Sequence, residues 1–230
     1  MQYPASWLQG ASLGEKIACE LRLQIVSGTI KPNTILSENQ IADEFGTSRS
    51  PVREALKTLF TEGLIRLERM GAVVLGLTPK DIEEIYDVRF FIETFILERL
   101  SKIQHENLVT ALNQIIDKME MAAKHHDFIE FAYQDLHFHE IMILEGDHTR
   151  ILHLWNNIRH IVLAALLVAT EKRFTAETHE IKPLIDKHRL IVNALISKDS
   201  SNMKQVIQEH FEDTRHTVNN TVLNHKIHER

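Results

Sequence analysis

From residue 78 to the C-terminus, apolar residues recur at spacings of three and four, and no stretch shows the strict alternation of a half-buried strand. A chain patterned this way folds as helices that each bury one stripe against their neighbours, an α-bundle. Six helices are predicted, near 81–101, 106–124, 128–144, 148–172, 178–197 and 201–224. Thr78-Pro79-Lys80-Asp81 is a helix start signal, and breaks fall at Glu145-Gly146-Asp147 and Ser197-Lys198-Asp199-Ser200-Ser201. With 43% apolar and 25% charged residues there is enough material for a core, and disorder or low complexity is excluded. The single cysteine, Cys19, excludes an internal disulfide framework and a Cys-rich zinc module, and fits a reducing compartment. The longest uncharged apolar run, Ile161 to Thr170, is shorter than the about 20 residues of a membrane span. No signal peptide is visible at the N-terminus. The expectation is a cytoplasmic protein with no membrane partner.

Residues 1–77 have a different texture. Leu13, Ile17, Leu21 and Ile25 make an amphipathic helix over Leu13 to Val26, broken by Ser27-Gly28 and Lys31-Pro32-Asn33. Ser37 with Gln40 reads as a capping box opening a short helix through Glu44. Phe45-Gly46-Thr47-Ser48 is a turn. A third helix follows, with Pro51 in its first turn and Val52, Leu56 and Leu59 facing the first two. Residues 65–75 read as a β-hairpin with Gly71 in its turn. Three short helices and a hairpin make a winged helix-turn-helix. The expected fold class is mostly α: a winged helix-turn-helix with a small hairpin at 1–77, then an all-α bundle at 78–230.

Net charge is −6, which by itself argues against a nucleic-acid binder. All of that excess lies after residue 77, since the first 77 residues balance 8 basic against 8 acidic side chains. A claim on DNA therefore rests on geometry. In a helix-turn-helix the second helix of the pair enters the major groove N-terminus first. Here that end carries Ser48-Arg49-Ser50-Pro51-Val52-Arg53. Arg49 and Arg53, four apart, share a face and suit guanine edges, while Ser48 and Ser50 can cap the helix and donate to phosphate. Arg69-Met70-Gly71 would be the wing, lying along the backbone or minor groove.

The bundle carries polar residues inside apolar seams. Asp135 and His139 fall in the stripe Phe128, Phe131/Ala132, Phe138, Met142. His188 falls in the stripe Ile181, Leu184/Ile185, Ile191/Val192, Leu195, and His210 in the stripe Met203, Val206/Ile207, Thr214, Val218. The break near residue 199 is almost equidistant from His188 and His210, so an antiparallel pair of helices sets them at one height. Four inward ionisable groups need a partner, and one divalent cation satisfies them all. Three imidazoles and a carboxylate suit Zn first, with Ni, Fe or Mn as alternatives. Six-coordination would leave two positions for a small carboxylate. Arg89 lies in the seam of its own helix and needs an anion, either Glu93 four residues on or an effector carboxylate. Arg159 is a second residue of this kind. His137, His148, His153, His216, His225 and His228 are expected at the surface or as caps.

Ile35-Leu36-Ser37-Glu38, Ile41-Ala42-Asp43-Glu44-Phe45-Gly46, Ser48-Arg49-Ser50-Pro51-Val52-Arg53-Glu54-Ala55-Leu56 and Glu62-Gly63-Leu64 together resemble the N-terminal domain of the GntR family of bacterial transcription regulators. The resemblance implies that Ser48, Arg49, Ser50, Arg53 and Gly71 contact double-stranded operator DNA. Two positions depart from the family pattern: Asn39, where a basic residue is frequent, and Asn33, where glycine is usual. Asp135-Leu136-His137-Phe138-His139, Lys187-His188-Arg189 and Glu209-His210-Phe211 resemble the ligand motifs of the FCD subgroup, which implies a metal on Asp135, His139, His188 and His210. A Glu is common where this chain has Lys187.

The expected function is a homodimeric transcription regulator, a repressor before an activator, that senses a small carboxylate at its metal site. Two rivals remain at this point: a metal-dependent enzyme using the Asp/three-His set, and a regulator whose metal is purely structural.

Overall fold

The computed structural model describes residues 3–69, 71–102, 106–198 and 200–224. Two compact units divide the chain, Met1–Thr78 and Pro79–Asn224.

In the first unit α1 (Leu13–Val26) precedes β1 (Ile35–Leu36), α2 (Glu38–Glu44), α3 (Arg49–Thr61), β2 (Ile65–Glu68) and β3 (Gly71–Val74). A capping box opens α1: Glu15 N–H donates to Ser12 Oγ at 3.2 Å, and Ser12 N–H donates to the Glu15 carboxylate at 2.6 Å. The box expected at Ser37 and Gln40 does not form. Ser37 is the N-cap of α2 but makes no side-chain capping bond, and it directly follows β1. Ile17, Leu21 and Ile25 of α1 meet Val52, Leu56 and Leu59 of α3 in the core, whereas Leu13 at the end of the stripe is exposed. Asn33 has φ +68°, the left-handed conformation that asparagine tolerates.

The hairpin gains a strand that the sequence did not betray. The sheet order is β1-β3-β2, antiparallel throughout, with Leu36 opposite Ala72 and Arg66 opposite Val73. Two-residue β1 is too short to carry a periodicity. Its presence explains Gly71, whose φ is +142° and where a Cβ would sit 2.6 Å from the Leu36 carbonyl oxygen. Met70, at the expected wing tip, lies outside the described residues. One charged pair is buried here: Arg22 Nε and Nη2 donate to both oxygens of Glu62 at 2.7 and 2.6 Å, tying α1 to the end of α3.

The second unit is helical throughout its described residues: α4 (Pro79–Leu100), α5 (Glu106–Lys124), α6 (Phe128–Glu145), α7 (Thr149–Ala176), a 3-10 turn (Thr178–Glu180), α8 (Ile181–Ser197) and α9 (Ser200–Asn224). Asp127 caps α6 and the His148 ring caps α7, accepting from Ile151 N–H at 3.3 Å. His137 is half-buried and stacks on Tyr133, and His153 and His216 are exposed. His225 and His228 lie outside the described residues. Helix α6 packs on α4, α5 and α7, and α9 packs on α4, α7 and α8. The stripes of α4, α6, α8 and α9 therefore look onto one interior. Helix α7 runs four residues past its expected end. By length and composition it is apolar enough to cross a bilayer, and 56% of its most apolar window is buried in the bundle.

Candidate functional site

Two constellations stand out, one in each unit. On α3, Ser48, Arg49, Ser50 and Arg53 are all exposed. Ser48 is the N-cap yet makes no side-chain capping bond, so its own side chain does not cap the first N–H groups of α3. Arg49 has no partner among the described residues. Arg53 Nε donates to Glu38 Oε2 of α2 at 2.9 Å, an exposed pair.

The second constellation is buried. Asp135 and His139 on α6, His188 on α8 and His210 on α9 are each at most 2% exposed. His188 Nδ1–H donates to the Leu184 carbonyl at 2.8 Å, which leaves Nε2 facing inward, 3.6 Å from Asp135 Oδ1 and with no hydrogen bond. His139 Nδ1 lies 2.5 Å from Glu93 Oε2, so that ring donates there and presents Nε2. This Nε2 is 3.1 Å from His210 Nε2 and 3.6 Å from Asp135 Oδ1. The three histidine ligand atoms lie within 4.8 Å of one another. Ligands about 2.0–2.1 Å from a single ion can be no more than about 4.2 Å apart, so contraction by under an ångström would seat one. The donor set fits a small divalent transition metal.

Protonation suits the same chemistry. Burial alone would raise Asp135, but the close approach of His188, with the charges of His139 and Arg89, brings it down to about 2. Burial depresses His139 against the pull of Glu93, and depresses His210 further, with His188 and His139 adding to it. Near neutral pH the set offers one carboxylate with His139 and His210 uncharged.

Glu93 joins this cluster to Arg89. Its Oε1 accepts from Arg89 Nε at 3.0 Å while Oε2 faces His139, and these two partners outweigh burial and hold Glu93 below the usual carboxylate range. Arg89 is fully buried, and its Nη1 and Nη2 have no partner. Its guanidinium lies 4.6 Å from the Phe211 ring centre and 5.6 Å from that of Tyr86. Tyr86 and Phe211 also line a pocket of about 330 Å³ between α4 and α9, together with Phe90, Lys204 and Arg215. Arg159 sits apart from this set: it pairs with Glu140 of α6 at 2.8 Å, and Trp155 Nε1 donates to the same carboxylate.

Residues 13–75 match the model of the bacterial regulatory proteins of the gntR family, and residues 84–213 match that of the FCD domain. The chain is a GntR-family transcriptional regulator with an FCD domain. The gluconate operon transcriptional repressor of Bacillus subtilis is 46% identical over 98% of this chain and 93% of its own length. That of Bacillus licheniformis is 43% identical over the same shares. A solved structure of Escherichia coli McbR/YncC, 18% identical, superposes with TM-score 0.69 over 90% of this chain and 97% of its own, which establishes the fold. These similarities are to regulators, and the enzyme alternative falls.

Three buried polar residues of the helical unit were not singled out by sequence as site candidates. Glu93 entered only as a neutraliser of Arg89, because nothing along α4 tells that His139 lies across from it. Tyr86 precedes Arg89 by three and so shares its face, a signal that was there to use. Arg173 lies beyond the expected end of α7 and is 4% exposed, with Nη2 donating to Thr217 Oγ1 at 2.6 Å and to Asp213 Oδ2 at 3.2 Å.

Proposed function

We propose that the protein is a dimeric, metal-dependent repressor that leaves its operator when a small sugar acid binds the helical unit. The carrying observation is Arg89: a fully buried guanidinium with two idle nitrogens, beside the Asp135, His139, His188 and His210 cluster. A carboxylate is the anion such a fork fits. Asp135, His139, His188 and His210 would hold a divalent ion, zinc first. When bound it supplies positive charge and open coordination positions for the acid's oxygens. Arg89 and Glu93 orient the site, Glu93 by fixing the His139 tautomer. Arg159, the other expected effector residue, contributes to this reading only through Glu140. The names of the two Bacillus relatives favour gluconate as the acid and a gluconate-use operon as the target.

For the DNA half, the open N-terminus of α3 and unpaired Arg49 support direct contact by Ser48, Arg49, Ser50 and Arg53 with one half of a palindromic operator in the cytoplasm. At Gly71 the glycine answers first to the close approach of Leu36, and a DNA contact there would be made by backbone. Dimerisation finds support in Val88, Phe91 and Phe95, exposed apolar residues on one face of α4. In this reading α7 serves as a core helix and not as a membrane span. The acid acts by binding the DNA-free arrangement more tightly than the DNA-bound one.

The test uses the purified full-length protein. Elemental analysis is expected to find one ion per chain, and D-gluconate to weaken operator binding at least tenfold. A chelator or His188→Ala is expected to abolish that response and lower the melting temperature, as loss of a native-state ligand must. No ion and no melting shift would reduce the cluster to ordinary core polarity. A melting shift without any acid response would leave a structural metal.

A further inference from the structure

Beyond the carboxylate end, the same interior holds a second group of unanswered donors. Tyr86 Oη and Arg173 Nε are buried without hydrogen bonds, as are Arg89 Nη1 and Nη2. Resting on the acid-binding reading above, we propose that Tyr86 and Arg173 form the far wall of the effector site and select a polyhydroxylated six-carbon acid over a short one by hydrogen-bonding its distal hydroxyls.

The placement follows from the helices. Arg89 and Tyr86 are one turn apart on α4, and both pack on Phe211, the neighbour of His210 on α9. Arg173 comes from α7 and reaches α9 at Asp213 and Thr217. Those residues lie three and seven positions past His210, which from the helical rise is about 5–10 Å along α9. Tyr86 feels both arginines: burial raises its hydroxyl to about 12, while the charges of Arg89 and Arg173 oppose that rise. A six-carbon chain with bonds of about 1.5 Å spans about 6 Å, within the range of that offset, whereas a three-carbon chain spans about 2.5 Å and stays below it.

The chemistry narrows the class. The Arg173 charge is already answered by Asp213, which also takes Lys187 Nζ at 3.2 Å. What Arg173 has to offer is a neutralised N–H donor, matched to a hydroxyl rather than to a second anionic group. Thr214 and Thr217 line the same stretch of α9, both buried, with their own hydroxyl protons given to the His210 and Asp213 carbonyls. Thr214 Oγ1 keeps lone pairs for a ligand hydroxyl, while Thr217 Oγ1 is already engaged by Arg173 Nη2. A site with donors and acceptors in alternation suits a polyol chain.

The experiment is calorimetric titration of the zinc-loaded full-length protein with D-gluconate and, separately, D-glycerate. In the unaltered protein gluconate is expected to bind at least tenfold more tightly. Arg173→Met is expected to erase that advantage while leaving glycerate within twofold. Tyr86→Phe removes only an oxygen, so the fold is kept, and it is expected to cut the advantage at least threefold with no fall in melting temperature. If both variants keep the gluconate-to-glycerate ratio, the far-wall assignment is wrong and the acid-binding reading stands. If neither acid binds the unaltered protein, both fall together.

Discussion

Two buried arginines distinguish the two units. Arg22, in the DNA-binding unit, lays its fork on both oxygens of Glu62, and none of its nitrogens is left unanswered in the interior. Arg89, in the helical unit, gives only Nε to Glu93 and keeps both Nη groups idle. Each guanidinium is out of water, so each needed a carboxylate within reach. The first pair is closed and serves the fold. The second is half open, because its glutamate is shared with His139, and the unspent half is what a ligand can use. On the reading proposed above, satisfaction of polar groups, more than their burial, separates a structural charge from a ligand-binding one.

The largest effect expected on this contrast is at the closed pair. Glu62→Ala would strand the Arg22 charge and cost about 3–5 kcal/mol of stability. Urea denaturation of the full chain measures it. A loss below about 1 kcal/mol would mean that water reaches Arg22 and that the pair is not closed. Next comes the surface. Arg49→Ala is expected to weaken specific operator binding by about 1–3 kcal/mol with stability unchanged, because Arg49 has nothing to lose within the protein. Gel shifts and melting curves read the two sides, and equal operator affinity would remove Arg49 from the interface. At the open pair, Arg89→Lys keeps a charge for Glu93 but not the planar fork. It is expected to lower acid affinity about tenfold, near 1.4 kcal/mol. Stability should fall by less than in Glu62→Ala. Should acid affinity hold, the idle Nη groups are not the carboxylate's seat.

The same contrast explains what could be read from the sequence. Seams at spacings of three and four placed Asp135, His139, His188 and His210 inside, since helical periodicity fixes which face is buried. The height match of His188 and His210 about the break near residue 199 predicts that they meet, and their ring centres lie 4.7 Å apart. Cross-helix partners are different. That Glu93 faces His139, that Arg22 reaches Glu62 forty residues away, and that Arg173 reaches Thr217 depend on how helices pack, and no spacing within one helix encodes that. Short elements were hidden for another reason: β1 has two residues, too few for any pattern. Arg49 and Arg53 were legible only through motif, because an exposed arginine leaves no trace in periodicity.

The smallest effect tests whether surface charges in the DNA-binding unit are as loosely committed as they look. Arg53 is held by Glu38 in an exposed pair, and such pairs contribute about 0.2–1 kcal/mol. Phosphate must displace that carboxylate before Arg53 can bind DNA. Glu38→Gln removes the competitor and a nearby negative charge together. Operator affinity should therefore rise, by at most about fivefold, while stability falls by no more than the pair was worth. Screening weakens both the pair and the phosphate contact, so the gain should shrink as salt is added. A gain that persists undiminished at high salt would point to the introduced amide making a contact of its own. Unchanged affinity at low salt would show that Arg53 stays with Glu38 in the complex, leaving Arg49 to read the groove alone.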